Sequence, residues 1–251
     1  MKRFLLVLVA LFIVMAMVAI TLPARVVVPR LVGDKLPVQL EDISGSVWNG
    51  QAGRVLRNGK DLGRFEWQIQ PMALLKGLFD AQLKLDGSEL STSAHVMARN
   101  AQEIEVQNLL ATLPAGRLEG LLDVPALKLL GQVDVAIDHL TLVNRMPQRL
   151  QGKATWKNAG VSGAEQADFG TIVADFGSLA SGGFGGTLSD QGGPLMVEGE
   201  FKTTLMGYEA SALLNARDGN PQVLRALQYM GQPLEDGSVM FQVRGGLLGG
   251  K

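Results

Sequence analysis

Few side chains in this sequence are equipped for chemistry, and their spacing argues against most of it. There is no cysteine, which excludes disulfides, thiolate–zinc and iron–sulfur ligation and a cysteine nucleophile. The two histidines, His95 and His139, stand outside H-E-x-x-H or any comparable ligand spacing. His139 ends an alternating segment and is expected on the same face as Val133 and Ile137, as a satisfied core or edge histidine. Asp134 and Asp138 suggest a carboxylate pair. Four residues of extended chain hold them about 13 Å apart, wider than the roughly 5–9.5 Å that glycoside hydrolysis uses, so they are expected on a solvated face. Ser44, Ser46 and Ser181 lack the G-x-S-x-G nucleophile elbow. The glycine-rich run from Gly177 to Gly186 has no lysine at phosphate-binding spacing and no long helix after it, and reads as a hairpin or loop. The expected inventory is no catalytic residue, no metal set and no cofactor.

The elements that must hold these residues are strands. Val133, Val135 and Ile137 alternate with Asp134, Ala136 and Asp138, the pattern of a strand with one buried and one wet face. Ala81 to Leu85, Leu195 to Phe201 and Ser238 to Val243 repeat it, with Asp86-Gly87 and Asp236-Gly237 as turn signals. Helix signals are brief. Asn220 caps a turn that Pro221 opens, with Val223, Leu224 and Leu227 on its apolar face and Gly231 beyond its end. A second short turn is expected from Pro71 through Leu75 to Gly77, and a third near Gln107 to Leu113, stopped by Pro114. The predicted fold is mainly β: an antiparallel twisted sheet of many short strands with a few short helices, preceded by one N-terminal transmembrane helix.

That transmembrane helix is the run from Phe4 to Leu22, in which only Thr21 is not apolar. At 1.5 Å per residue it is about 28 Å long, enough to span a bilayer core. Mean hydropathy is +0.17 over the whole chain, and without this run the remainder averages slightly below zero. A cleaved secretory signal is the competing reading. The positions three residues before the possible cuts at Ala19 and Ala24 hold Met17 and Leu22, poor peptidase sites, so a retained anchor is expected. Lys2, Arg3 and the terminal amine are roughly matched by Arg25, Arg30 and Lys35 on the other side, and the simpler arrangement is expected: residues 1–3 a cytoplasmic tail, 4–22 the anchor in contact with membrane lipid, and 23–251 outside. The chain of 251 residues carries 23 Lys+Arg against 24 Asp+Glu, so its charge balance offers nothing to nucleic acid.

Ile43 to Gly53 echoes Leu150 to Gly160: a glycine precedes an Ala-Gly pair by the same distance in both, while Trp48 and Trp156 are offset by one position. Either two similar halves, about 36–145 and 146–251, descend from a duplication, or one strand–turn solution arose twice. Trp48, Trp67 and Trp156 are read either as core rings filling space beside glycines or as interface anchors.

The apolar N-terminus running into Thr21-Leu22-Pro23-Ala24, the stretch Gly45-Ser46-Val47-Trp48-Asn49-Gly50-Gln51-Ala52, and Leu62-Gly63 leading to Trp67 and Pro71 resemble protein N of the bacterial type II secretion system. Gly152, Trp156 and Ala159, Gly192-Gly193-Pro194-Leu195 and Leu234-Glu235-Asp236-Gly237 are similar to that family's second half. The resemblance implies a single-pass inner-membrane protein with a periplasmic β domain, an auxiliary part of the machinery that exports folded proteins. Its partners would be other secretion-system components, in the inner-membrane platform or the secretin, and it implies no catalytic residue. Gly45, Trp48, Gly50, Ala52, Gly63, Trp67, Pro71, Gly152, Trp156 and Ala159 are the structural or interaction candidates. Two other readings stand beside it: a carrier of lipid or another hydrophobic ligand, since the family distantly resembles AsmA-type envelope proteins, and an anchored envelope hydrolase. A long groove without a covering helix favours the carrier, and convergent polar groups in a pocket favour the hydrolase.

Overall fold

The computed structural model describes residues 22–32, 37–100, 102–122, 126–144, 146–180, 182–204 and 207–245. The expected anchor lies outside these apart from Leu22. No helix among the described residues is long and apolar enough to cross a membrane. The chain divides into two compact units, Met1–Arg99 and Asn100–Lys251. The boundary between halves that the sequence suggests, between 145 and 146, lies within the second unit.

The first unit holds helix α1 (Ala24–Val32), strands β1 (Gln39–Gly45), β2 (Asn49–Arg57), β3 (Lys60–Asp61) and β4 (Arg64–Ile69), the short helix α2 (Pro71–Leu74), β5 (Phe79–Asp86) and β6 (Ser91–Ala98). The strands pair antiparallel in the order β1-β2-β4-β5-β6, with β3 alongside β2. Period-two alternation sorts the faces. Rungs Ile69–Ala81–Val96 and Trp67–Leu83–Ala94 are apolar, while the intervening Gln68–Gln82–His95 and the adjacent Glu66–Lys84–Ser93 are polar. α1 lies on the apolar side, its Ala24 buried with Ala52 and Trp67 and its Val28 packed against them. Its entry is pinned: the Val47 N–H donates to the Leu22 carbonyl at 3.0 Å, and Pro23 bridges Ser46.

The second unit holds β7 (Glu103–Pro114), a 3-10 turn Ala115–Leu118, α3 (Glu119–Leu122), β8 (Leu127–Val143), β9 (Met146–Gly163), β10 (Ala167–Ser178), β11 (Phe184–Asp190), β12 (Leu195–Thr204), β13 (Gly207–Ala216), α4 (Pro221–Leu227), β14 (Gln232–Pro233) and β15 (Val239–Gly245). All pairings are antiparallel, in chain order from β7 to β13 and then β15 and β14. Two apolar rows cross eight strands in register: Ala111–Val135–Ala154–Ala174–Leu188–Gly199–Ala212–Phe241 and Leu109–Ile137–Gly152–Phe176–Gly186–Phe201–Ala210–Val243. Toward one end the same face is closed by α4, where Val223, Ala226 and Leu227 pack into a core with Leu195, Val197, Leu214 and Phe169. As expected, the Asn220 side chain caps α4, accepting from the N–H groups of Gln222 and Val223.

Three expectations need correction. Gln107 to Leu113 is not helical but lies within β7. Val106, Leu109 and Leu113 share a face at helical spacing because Asn108, at φ 50°, takes a left-handed step that rephases the strand, while Leu110 is exposed on the other face. The strands are not all short either: β8 has 17 residues and β9 has 18. Their alternation is broken by register shifts, one of them between Leu130 and Gln132, which disguise the ends as loops in the sequence. His139, finally, is exposed and lies on the face opposite Ile137, because Asp138 is an extra residue in the β8–β9 ladder.

Candidate interaction site

Of the sequence candidates, the structure gathers Gly45, Trp48, Gly50, Ala52 and Trp67 around the β1–β2 turn. Trp67 is 7% exposed and its indole N–H donates to the Val47 carbonyl at 3.0 Å. The ring lies against Gly50, where a Cβ would stand 2.5 Å from Cζ2, so the glycine is the slot that admits the indole. Ala52 is fully buried beside it. Gly45 packs on the Asn49–Gly50 backbone, Gly63 on the Asp86 carbonyl, and Pro71 opens α2. Trp48 sits half-buried in the turn rather than in a strand. In the second unit Gly152 plays the part of Gly50: a Cβ there would meet the Phe176 ring at 2.8 Å. Trp156 is partly buried against the core, its N–H on the Leu130 carbonyl at 2.7 Å, and Ala159 is fully buried. Residues 43–53 thus form a hairpin and 150–160 a single strand, so the echoing segments adopt different structures.

The titratable candidates serve the sheet faces. His95 Nε2 meets Asp80 Oδ1 at 2.9 Å between neighbouring strands. Asp134 accepts from Lys157 at 2.7 Å and from Gln132 and Thr112 at 2.9 Å. Bonding by Lys157, then Gln132, outweighs partial burial and, aided by Thr112, holds its carboxyl below the usual range. Among the described residues no group of three His, Asp or Glu is placed to hold a metal ion. At the β11–β12 turn, partial burial opposes ionisation of Asp190. The N–H groups of Val197 and Gly192 and the Arg217 guanidinium outweigh it and lower its pKa.

One concave feature was not singled out by the sequence. Thr187, Glu200, Lys202, Glu209, Ser211, Gln242 and Arg244 line a recess of about 430 Å³ on the polar face of β11, β12, β13 and β15. Gly185 leaves room in its floor, and Leu179 leans over that glycine from the β10–β11 turn. Lys202, Glu209 and Arg244 occupy one rung. The Lys202 ammonium is 2.5 Å from Glu209, and Arg244 Nε stands 3.8 Å from the same carboxylate. The hydrogen bond between Lys202 and Glu209 raises the lysine pKa and lowers that of the glutamate. Such a surface can pair with charged or polar groups. Ser211 and His139 are five strands apart in the sheet order, so the recess does not place that serine beside that histidine. The alternation of Glu198, Glu200 and Lys202 was visible in the sequence; the cross-strand register that brings Glu209 and Arg244 alongside was not.

Among the described residues each unit is an antiparallel β sheet with one apolar and one polar face, and the charged side chains of the polar faces lie along rungs. The family model for type II secretion system (T2SS), protein N, matches residues 37–242, and the chain belongs to that family. It is 28% identical over 248 residues to the type II secretion system protein N of Vibrio cholerae serotype O1, covering 94% of this chain and 95% of that one. It is 27% identical over 156 residues to the protein of the same name from Aeromonas hydrophila, covering 60% and 61%. No solved structure matches significantly.

Proposed function

We propose that this chain is a non-enzymatic inner-membrane component of the type II secretion system, assisting export of folded proteins from the periplasm across the outer membrane. Residues 4–22 anchor it, the β-rich remainder stands in the periplasm, and its partners are other components of the apparatus, in the inner-membrane platform or the secretin. The near full-length correspondence to a type II secretion system protein N carries this reading. The arrangement of rungs supports it, since it offers surfaces rather than a nucleophile beside a base. The test is secretion by a deletion strain complemented with variants. Alanine at His95, Asp134, Asp138 or His139 should leave export nearly unchanged, whereas failure of export with a folded, normally abundant variant would revive the envelope hydrolase.

A second reading, a carrier of lipid or another hydrophobic ligand, is favoured by the two eight-strand rows, most of whose side chains are only half-buried. Mass spectrometry of the chain extracted in mild detergent tests it: stoichiometric lipid, lost when Ala174 and Ala210 are both changed to aspartate, would establish it.

A further inference from the structure

On the polar faces several charged residues meet their opposites directly across the ladder. Glu41 faces Arg54 at 2.8 Å, Lys153 faces Asp175 at 3.2 Å, and Lys202 faces Glu209. The last of these rungs continues to Arg244 and, among the described residues, ends there, reading cation, anion, cation toward the sheet edge. Arg244 is 78% exposed and shares a carboxylate that Lys202 already holds more closely.

The backbone beside it is also unfinished. β14 covers only Val239 and Met240, through Pro233 and Gln232, and no described residue pairs with the outer side of Phe241–Gly245. A strand edge presents alternate N–H and C=O groups outward, a template that proteins usually blunt with bulges or short strands. β1, the last strand in the first unit's order, shows such blunting, with Asp42 at φ 55° breaking its extended run. β15 has no residue of positive φ.

We infer that Phe241–Gly245 is the docking edge for an extended segment of a partner protein, added antiparallel as a further strand, with an acidic residue opposite Arg244. The rows dictate the rest of its sequence. Positions facing Val243 and Phe241 continue the apolar rows and take apolar side chains, and the one facing Gln242 is polar. Read from its N-terminus, the segment is acidic, apolar, polar, apolar. This deepens the assembly reading by naming its surface and the kind of strand it takes.

The test uses the full chain in mild detergent and two labelled peptides with glycine–serine flanks, one containing Thr-Glu-Val-Thr-Val and the other Thr-Lys-Val-Thr-Val. Fluorescence anisotropy should show the acidic peptide binding about five- to tenfold more tightly, and Arg244→Glu should invert that preference. The exposed position of Arg244 leaves the variant folded, which an unchanged melting temperature would verify. Amide exchange at Phe241–Gly245 should slow on binding. Equal binding of the two peptides, no binding at millimolar concentration, a preference unmoved by Arg244→Glu, or protection at β1 instead would each overturn the proposal. So would self-association that protects the same residues without peptide. The assay is independent of export: an export-competent chain that binds neither peptide removes the docking edge alone, whereas binding by a chain dispensable for export removes the assembly reading alone.

Discussion

Trp67 and Gly50 show how an aromatic ring and a missing side chain act as one unit across a strand pair. Trp67→Ala should cost about 3–5 kcal/mol, the range for truncating a buried aromatic. Gly50→Ala should also destabilise strongly, because its Cβ would approach the ring and the Ser46 and Ser44 carbonyls within 3 Å. Chemical denaturation of both single variants and the double variant checks this: Gly50→Ala should be partly relieved when the indole is gone. Part of this was legible, since tryptophan beside glycine suggests space filling. Which glycine faces which ring was not, because pairing Gly50 with Trp67 requires the β2–β4 register.

Asp190 yields a prediction in pH. Its folded pKa is depressed, so its contribution to stability is complete above the ordinary carboxylate pKa, about 4, and is lost as pH falls through the lower folded value. Asp190→Ala leaves Arg217 and two N–H groups short of an acceptor and should cost about 1–3 kcal/mol near neutrality. Urea melts from pH 7 to pH 3 should show the gap between parent and variant constant to about pH 5 and narrowing below 4. A gap that widens in acid would contradict the network.

Among the elements, β7 teaches the most. A left-handed asparagine converted a period-two pattern into helical spacing, and sequence periodicity alone has no means to detect the inserted step. A different device, the extra residue Asp138 in the β8–β9 ladder, moved His139 to the other face. By contrast α4 was readable, because capping by Asn220 and proline at the first helical position are local signals that no register can alter. α2 was readable for the same reason, and it presents an unexpected surface. Met72 is 69% and Leu75 80% exposed, on a short turn ahead of β5. Leu75→Ser should therefore leave the melting temperature within about 1 °C of the parent. If this turn touches another component of the apparatus, co-purification from native membranes should fall at the same time. A lower melting temperature would mean the leucine is packed.

For the whole molecule, strand alternation and turn chemistry announced an antiparallel β protein, and the order of weak motifs announced its family. The recess between Leu179 and Arg244 stayed hidden because its walls come from four strands spread over more than sixty residues. The topology proposed above is checked directly. The mature chain should begin at or beside Met1 by intact mass, and protease added to spheroplasts should digest the β domain while the inner membrane stays sealed. A start between Ala19 and Arg25, or a protected full-length chain, would reverse it.

The clasp between Leu22 and Val47, with Pro23 on Ser46, bears on mechanics. If the preceding residues span the bilayer, there is no slack tether between the span and the first unit, so this unit cannot swing freely above the lipid. Its β1–β2 turn, with Trp48, is then held at a set height near the headgroups, and the unit diffuses as an oriented body in two dimensions. An encounter with a neighbour in the same membrane becomes a search over lateral position and rotation about a single axis. A flexible insertion between Leu22 and Pro23 would restore the lost tumbling and should slow assembly without changing the fold of either unit.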